Sequence, residues 1–469
     1  MNTVVICPGC KKRNSGQVSF CARCRTPLTR GQRLTKESEG REIDGQFIGN
    51  QPKRGHRGYV LGGIAVFISI VSLLYYLLHI NNYSVLPSSQ IGAELAQNNW
   101  PMYQRSSFNE GFSETEPLAE KLTAHLIFES ADPVVSSPAI VAGILYLTSG
   151  ESGRYSIIAI DAYTGVVIWK REFPAPISYS PAVAGHFVYL AVGDGRILAL
   201  SAHDGETQWS SDLGNHISSS PTIHNGIVYI GSFDKKLYAL DAANGELLWE
   251  REVNGRITSI PAVNDEIIAF VSQENLVHIL DAVTGQMRLE YRTSMANGSV
   301  SMDGERLYVA DWKGNLYSID WTQEEVLFEK KIRTIRINLF FWGFIKSFPP
   351  VKGAVWLFNR PGEHFIGTPV IANKSVYISS STGKIFKVNQ ITGELIWEYD
   401  AGVLLTESMS ATASELFIGD TKGAIHIISH DTGELNQKVD LAGPITSPPI
   451  LANGMLYVAA GKGGIYLLR

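Results

Sequence analysis

Cysteine is missing from everything beyond residue 24, and the 469-residue chain holds only four, at Cys7, Cys10, Cys21 and Cys24. The large remainder therefore has no disulfide framework and no haem-attachment C-x-x-C-H. The 11 histidines show no metal-ligand spacing, and no Ser/His/Asp arrangement, phosphate loop or kinase motif stands out. GDG (193–195) and TKG (421–423) have the composition of hairpin turns rather than nucleotide loops. Acidic residues are scarce in the first 58 positions, 4 against 12 Lys and Arg, and charge is absent altogether from 59 to 80. Most of the chain also lacks apolar residues at helical spacing, which excludes a helical solenoid.

The basic head leaves an acidic body, with 28 Lys and Arg against 41 Asp and Glu after residue 58. An acidic body excludes nucleic acid as its partner. The uncharged run YVLGGIAVFISIVSLLYYLLHI, Tyr59 to Ile80, has 22 residues, long enough as a helix to cross the ~30 Å hydrocarbon core of a bilayer. Tyr59, Tyr75 and Tyr76 fall near its ends, where amphipathic rings favour the interface. A cleavable signal is excluded by the 58 preceding residues and by the length of the run. Lys53, Arg54 and Arg57 precede the run, whereas 81–104 contain no Lys or Arg. The N-terminus is thus expected in the cytoplasm and the C-terminal body outside, on a single-pass inner-membrane anchor.

The four cysteines form two C-x2-C knuckles ten residues apart in CPGCKKRNSGQVSFCARC. Cys7, Cys10, Cys21 and Cys24 can place four thiolates tetrahedrally around Zn2+, and a filled four-ligand shell makes the metal structural. A reducing cytoplasm disfavours the alternative of disulfides. The segment is similar to the short zinc ribbons at the N-termini of many prokaryotic membrane proteins. Residues 29–58 are polar and Gly-rich without apolar period and are expected to be a flexible basic linker, and 81–99 a second tether.

The body is repetitive. The phrase S-x-P-x-I/V aligns Pro138, Pro181, Pro221, Pro261, Ser301, Pro369, Met409 and Pro448, with steps of 43, 40, 40, 40, 68, 40 and 39 residues. One unit, SSSPTIHNGIVYIGSFDKKLYALDAANGELLWEREV, alternates apolar residues over four short strands separated by turns. Eight such units predict an all-β, eight-bladed propeller of four-stranded antiparallel blades. In DAANGELLW, Asp241 caps a turn, Gly245 supplies positive φ, and Trp249 fills the wedge between blades, as do Trp169, Trp209 and Trp397. Leu289, Phe328 and Gln437 occupy the equivalent place in degenerate copies, and the blade holding Gln437 is expected to be looser. The eighth unit stops at Arg469 three strands in, so LTAHLIFES (122–130) is expected to supply the missing strand, with WPMYQRSSFNEGF (100–112) laid along the ring ahead of it.

The phrase D-A-x-T-G-x-x-x-W in a 40-residue period, together with the WPMYQR lead-in, resembles the pyrroloquinoline-quinone-type repeat family over residues 100–469. The resemblance implies two branches: quinone-dependent alcohol dehydrogenases, which hold the quinone and Ca2+ on the propeller axis, and non-catalytic members such as the scaffold of the outer-membrane barrel assembly machinery. The first branch covers its cofactor with two adjacent oxidised cysteines. Their absence here argues against pyrroloquinoline quinone as a cofactor and for a non-enzymatic interaction module with a protein or cell-envelope partner. A quinone-dependent dehydrogenase and a transmembrane sensor coupled to the ribbon stand as alternatives.

Two features vary between copies. His216, Arg256 and His364 each precede an inner strand and are placed to ring one mouth of the channel, either as a ligand or peptide site or as ordinary loop residues. An insertion at 333–360 combines Phe340, Phe341, Trp342, Phe344 and Phe348 with Arg333, Arg336, Lys346 and Lys352. It suits a membrane surface or a partner groove, or else a long hairpin that buries its own rings.

Overall fold

A computed structural model describes residues 4–6, 13–15, 33–34, 69, 86–93 and 99–469, save 120, 152, 297, 326–328 and 407. The chain divides into two compact units, Met1–His79 and Ile80–Arg469. In the first, Val4–Ile6 pairs antiparallel with both Arg13–Ser15 and Arg33–Leu34. The four cysteines, the expected linker 29–58 apart from Arg33 and Leu34, and all of 59–80 except Ser69 lie outside the described residues. No helix among the described residues is long and apolar enough to cross a membrane.

The second unit carries eight four-stranded antiparallel sheets in sequence order. They occupy 139–173, 182–212, 222–252, 262–292, 301–359, 365–400, 410–440 and, for the last, 450–468 with Ala124–Glu129. We number these blades 1 to 8. In blade 3 the strands are Thr222–His224, Ile227–Gly231, Lys236–Asp241 and Leu247–Glu252, running from the axis outward. The ring closes as its truncated last repeat requires: Gly464–Leu468 pairs antiparallel with Ala124–Glu129, Gly464 opposite Glu129 and Leu468 opposite Ala124.

The apolar cores lie between blades. One joins blades 2 and 3 through Tyr189, Ile197, Trp209, Ile223, Ile230 and Leu240, and another joins blades 7, 8 and 1 around Ile427, Ile450, Leu467 and Ile140. Second and third strands are therefore buried on both faces, which explains their continuous apolar runs, while fourth strands alternate.

The recurring Asp-Gly-Trp phrase is a joint between blades. The Asp241 carboxylate accepts from the backbone N–H of Ala243 at 2.8 Å and of Asn244 at 3.3 Å, and Gly245 sits at φ 76°. A Cβ on Gly245 would lie 2.5 Å from the Trp209 ring of the preceding blade, so this glycine serves contact as well as turn geometry. Trp209 Nε1 and Tyr189 Oη both donate to the Ala242 carbonyl in that same turn, at 3.0 and 2.9 Å. Trp169 and Tyr146 treat Ala202 in the same way, at 3.0 and 3.3 Å. Burial pushes the Tyr146 phenol up to about 12, which keeps it a neutral donor.

Three expectations need correction. Blade 5 takes its aromatic wedge from Trp356, whose Nε1 donates to the Gln390 carbonyl at 3.0 Å, whereas Phe328 lies outside the described residues. The inserted segment accordingly spans 321–353 rather than 333–360, because Ala354–Asn359 is the fourth strand of blade 5, paired with Asn315–Asp320. It contains a helix, Glu329–Phe341, which is the reason a strand-based alignment misplaced it. Gln437 does not loosen its blade. Its amide donates to the Leu122 carbonyl at 2.7 Å and accepts from the Leu122 N–H at 2.9 Å. Wedge residues elsewhere reach 33 or 34 positions ahead, to the next blade's turn. From Gln437 that count runs past Arg469, so Leu122 stands in for the missing turn.

Candidate functional site: the propeller axis and its two ends

Residues 99–123 circle one face of the ring. Trp100 bridges to Ile140 of blade 1. The carbonyls of Pro101, Ser107, Phe108, Glu110 and Gly111 then accept from the N–H groups of Val183, Val263, Met302, Ile371 and Ala411, at 2.8, 2.6, 2.9, 2.9 and 2.9 Å. These partners sit on the first strands of blades 2, 4, 5, 6 and 7, so the lead-in occupies positions that would otherwise be open strand edges. Between them the chain cuts inward. Tyr103, two residues after the contact of Pro101 with blade 2, carries its phenol across the axis to the hydroxyls of Thr368 and Ser408, at 3.0 and 2.9 Å. Asn109 Nδ2 donates to the carbonyls of Pro261 and Val300, at 3.2 and 3.1 Å.

The lead-in also carries two charged residues, Arg105, buried, and Glu110, half-buried. Arg105 donates to the Phe112 carbonyl at 2.8 Å, and burial draws its guanidinium below the usual range against the pull of Glu110. Burial raises the Glu110 carboxyl, opposed by Arg105.

Beyond Tyr103 lies a cavity of about 520 Å³. Its lining is mostly hydroxyl, with Ser136, Ser180, Ser218, Ser220, Ser259 and Thr368 coming from successive repeats. Among the described residues, no Asp, Glu, Lys, Arg or His lines it. The serines of the S-x-P phrase also tie blades together, as where Ser220 Oγ accepts from Ser180 N–H at 3.0 Å and Ser299 Oγ from Ile260 N–H at 2.9 Å. No group of three or more His, Cys, Asp or Glu among the described residues is placed to hold a metal ion.

His216, Arg256 and His364 all stand on the face opposite the lead-in, exposed, at the same position of their repeats. His216 stacks on Phe233 with centroids 5.0 Å apart, and the Arg256 guanidinium lies 5.6 Å from the same ring. His364 stacks on Trp312 at 4.9 Å and 8°. His216 and His364 also bond through Nδ1 to the Gly193 and Trp312 carbonyls, at 2.7 and 2.6 Å. The structure brings each to an aromatic ring rather than to one another. Phe233 and Trp312, at equivalent turns, are the partners that sequence reading missed, and Tyr103 is the larger omission.

The insertion forms the third distinct feature. Between its helix and the outer edge of blade 4 runs a groove of about 1090 Å³, lined by Leu289, Arg292, Ile332, Arg333, Pro349 and Val351 among others. Lys352 pairs with Glu329 at 2.6 Å and holds the start of the helix to the strand that follows.

A family model described as outer membrane protein assembly factor BamB matches residues 92–326, 284–399 and 382–468. The chain belongs to the BamB family. No match is found among curated proteins. Among solved structures, BamB from Moraxella catarrhalis is 18% identical with a TM-score of 0.56, and the alignment covers 74% of this chain and 98% of that one. Quinohemoprotein alcohol dehydrogenase from Comamonas testosteroni aligns at 14% identity and TM-score 0.60, covering 80% of this chain and 81% of that chain. The computationally designed Ika8 protein gives 14% and 0.58, covering 73% of this chain and 98% of its own. At such identities these neighbours share the propeller fold with the BamB family member described here, a fold common to a BamB protein, an alcohol dehydrogenase and a designed protein alike.

Proposed function

We propose that this chain is a single-pass protein of the inner membrane whose extracytoplasmic propeller is a non-enzymatic scaffold for a protein or cell-envelope partner. The observation that carries this reading is the axis. Tyr103 crosses it, and the cavity beyond is lined by hydroxyls, with no carboxylate or cation among the described residues. An anionic quinone held with Ca2+ asks for both kinds of charge, and the described lining supplies neither, which supports the scaffold over the dehydrogenase alternative. The BamB family match favours a scaffold as well. Anchoring rests on the uncharged run 59–80 and on the placement of Lys53, Arg54 and Arg57.

The partner-facing surface in this reading is the open mouth, where Trp312, Phe233, His216, Arg256 and His364 present stacked, prepositioned rings of the kind that dominate interface energetics. A benzophenone side chain placed at Trp312 and irradiated in intact membranes should give discrete protein adducts. A folded, membrane-inserted chain that gives none there would contradict the assignment.

The ribbon is proposed to hold one structural Zn2+ through Cys7, Cys10, Cys21 and Cys24. The antiparallel pairing of Val4–Ile6 with Arg13–Ser15 on either side of the first knuckle supports a turn there. Metal analysis of the purified chain should return one zinc, lost in Cys10→Ser with the propeller's unfolding transition unchanged. A full zinc complement in that variant would refute the ligand set.

A further inference from the structure

The insertion leaves the ring on the same face as the lead-in. It connects the third and fourth strands of blade 5, and in every other complete blade that connection is a short turn on the lead-in face that ends in a positive-φ glycine, as at Gly165, Gly245 and Gly393. Residues 86–93 reach this face too. Gly226 N–H donates to the Ile91 carbonyl at 2.7 Å, Ser88 N–H donates to the Asp241 carboxylate, and Ile91 and Ala93 pack on the core between blades 2 and 3. Leu86 is six residues beyond Ile80, the last of the apolar run, a span of at most roughly 20 Å even when fully extended.

The helix Glu329–Phe341 turns Arg333, Ile337 and Phe340 inward, half-buried. Its outward side and the turn after it expose Phe341 at 73%, Trp342 at 69% and Phe344 at 75%, with Ile335 and Phe348 beside them. The rings are thus not folded away under a hairpin, which removes one of the two readings the sequence left open. Phe340 packs edge-on against Phe341 and Phe348, centroids 5.7 and 5.5 Å apart, so the cluster is held together but uncovered. Arg336 and Lys346 are exposed at its margin.

We propose that this aromatic and cationic face of the insertion seats on the outer surface of the bilayer that carries the chain's own anchor, with anionic headgroups as its ligand. The proposal rests on the anchoring put forward above. Aromatic rings partition to the headgroup level, and cations beside them gain from anionic lipid at about 1 kcal/mol each near the surface. The short tether meets the ring at blades 2 and 3 and the insertion leaves it from blade 5 on the same face, so together they fix the plane of the ring against the membrane. The consequence is an orientation: the lead-in face looks at the bilayer, and the mouth with Trp312, His216 and His364 looks away from it, towards the envelope.

The nine tryptophans all lie between Trp100 and Trp397, and none falls in 59–80. Quenching of tryptophan fluorescence by bromine on acyl chains therefore reports contact by the propeller alone. The test uses the full chain, reconstituted in phosphatidylcholine vesicles containing phosphatidylglycerol and brominated acyl chains. A quenched component is expected that Trp342→Phe removes and Trp312→Phe leaves intact. Arg336→Glu with Lys346→Glu should weaken it about twofold or more, as should omission of phosphatidylglycerol. Absence of quenching in a chain that resists carbonate extraction would overturn the lipid-facing insertion while leaving the anchor standing, and would assign the patch to a protein partner. Quenching carried by Trp312 instead would overturn the orientation. A chain that carbonate extracts but whose Trp342 is still quenched would remove the anchor and uphold the docking surface.

Discussion

Alanine at Gly165 should open the ring at its seam. Gly165 sits at φ 72°, and a Cβ there would lie 1.8 Å from the Ile127 carbonyl oxygen and 2.6 Å from its carbon. Ile127 belongs to Ala124–Glu129, the strand that completes blade 8. No flexible side chain can yield at this contact, because what the methyl meets is backbone. The closing strand must shift, at a cost of roughly 3 kcal/mol or more once left-handed strain and lost pairing are combined. Gly304→Ala is the control: it has φ 52° with nothing within 4 Å, so it should cost only the strain, about 1–2 kcal/mol. Denaturant unfolding gives the ranking, and hydrogen exchange gives the place. Amides of 124–129 and 464–468 should lose protection first in Gly165→Ala. Equal losses in the two variants would mean that the seam is not the weak joint described.

Trp209→Ala carries the other large expected effect. The Trp209 indole is 9% exposed, lies 5.9 Å from the Tyr189 ring, covers Gly245 and donates to Ala242. Truncation removes all three contacts at once and leaves a void between blades 2 and 3, which predicts about 3–5 kcal/mol of destabilisation. Trp249→Ala should cost less by about 1 kcal/mol or more, because Trp249 is only half-buried and its Nε1 has no hydrogen-bond partner. A thermal or denaturant midpoint that falls as far for Trp249→Ala as for Trp209→Ala would show that the indole's hydrogen bond and burial do not set the strength of the joint.

These joints were the most legible part of the sequence, and the reason is physical. Each copy of the phrase must satisfy the same three demands, a capped turn, a positive φ and a wedge, so Asp241, Gly245 and Trp209 recur at fixed spacing. The closing strand was legible because a repeat that ends after three strands leaves an edge that something must cover. What the sequence concealed were single-copy solutions. Trp356 is displaced from its expected spacing by the helix inserted before it. Gln437 looked like a decayed wedge, and only the ring's closure shows why an amide that can both donate and accept suits a place where the next turn is replaced by the backbone of Leu122. Tyr103 gave no periodic signal at all, since it belongs to no repeat, yet it decides the character of the axis. The exposed rings of Phe341, Trp342 and Phe344 were visible as composition, but their outward direction depends on a helix whose inward side faces the groove along blade 4.

Scaffold and enzyme share this ring, so the account turns on whether the axis can hold a redox cofactor. The direct measurement is reconstitution of the full chain with pyrroloquinoline quinone and Ca2+, followed by absorbance of the separated protein and dye reduction with alcohols or sugars. With Tyr103 bonded across to Thr368 and Ser408 and a cavity lined by hydroxyls, the protein should emerge without bound quinone and without activity. Retention of the quinone in stoichiometric amount, with substrate-dependent dye reduction, would contradict the scaffold reading.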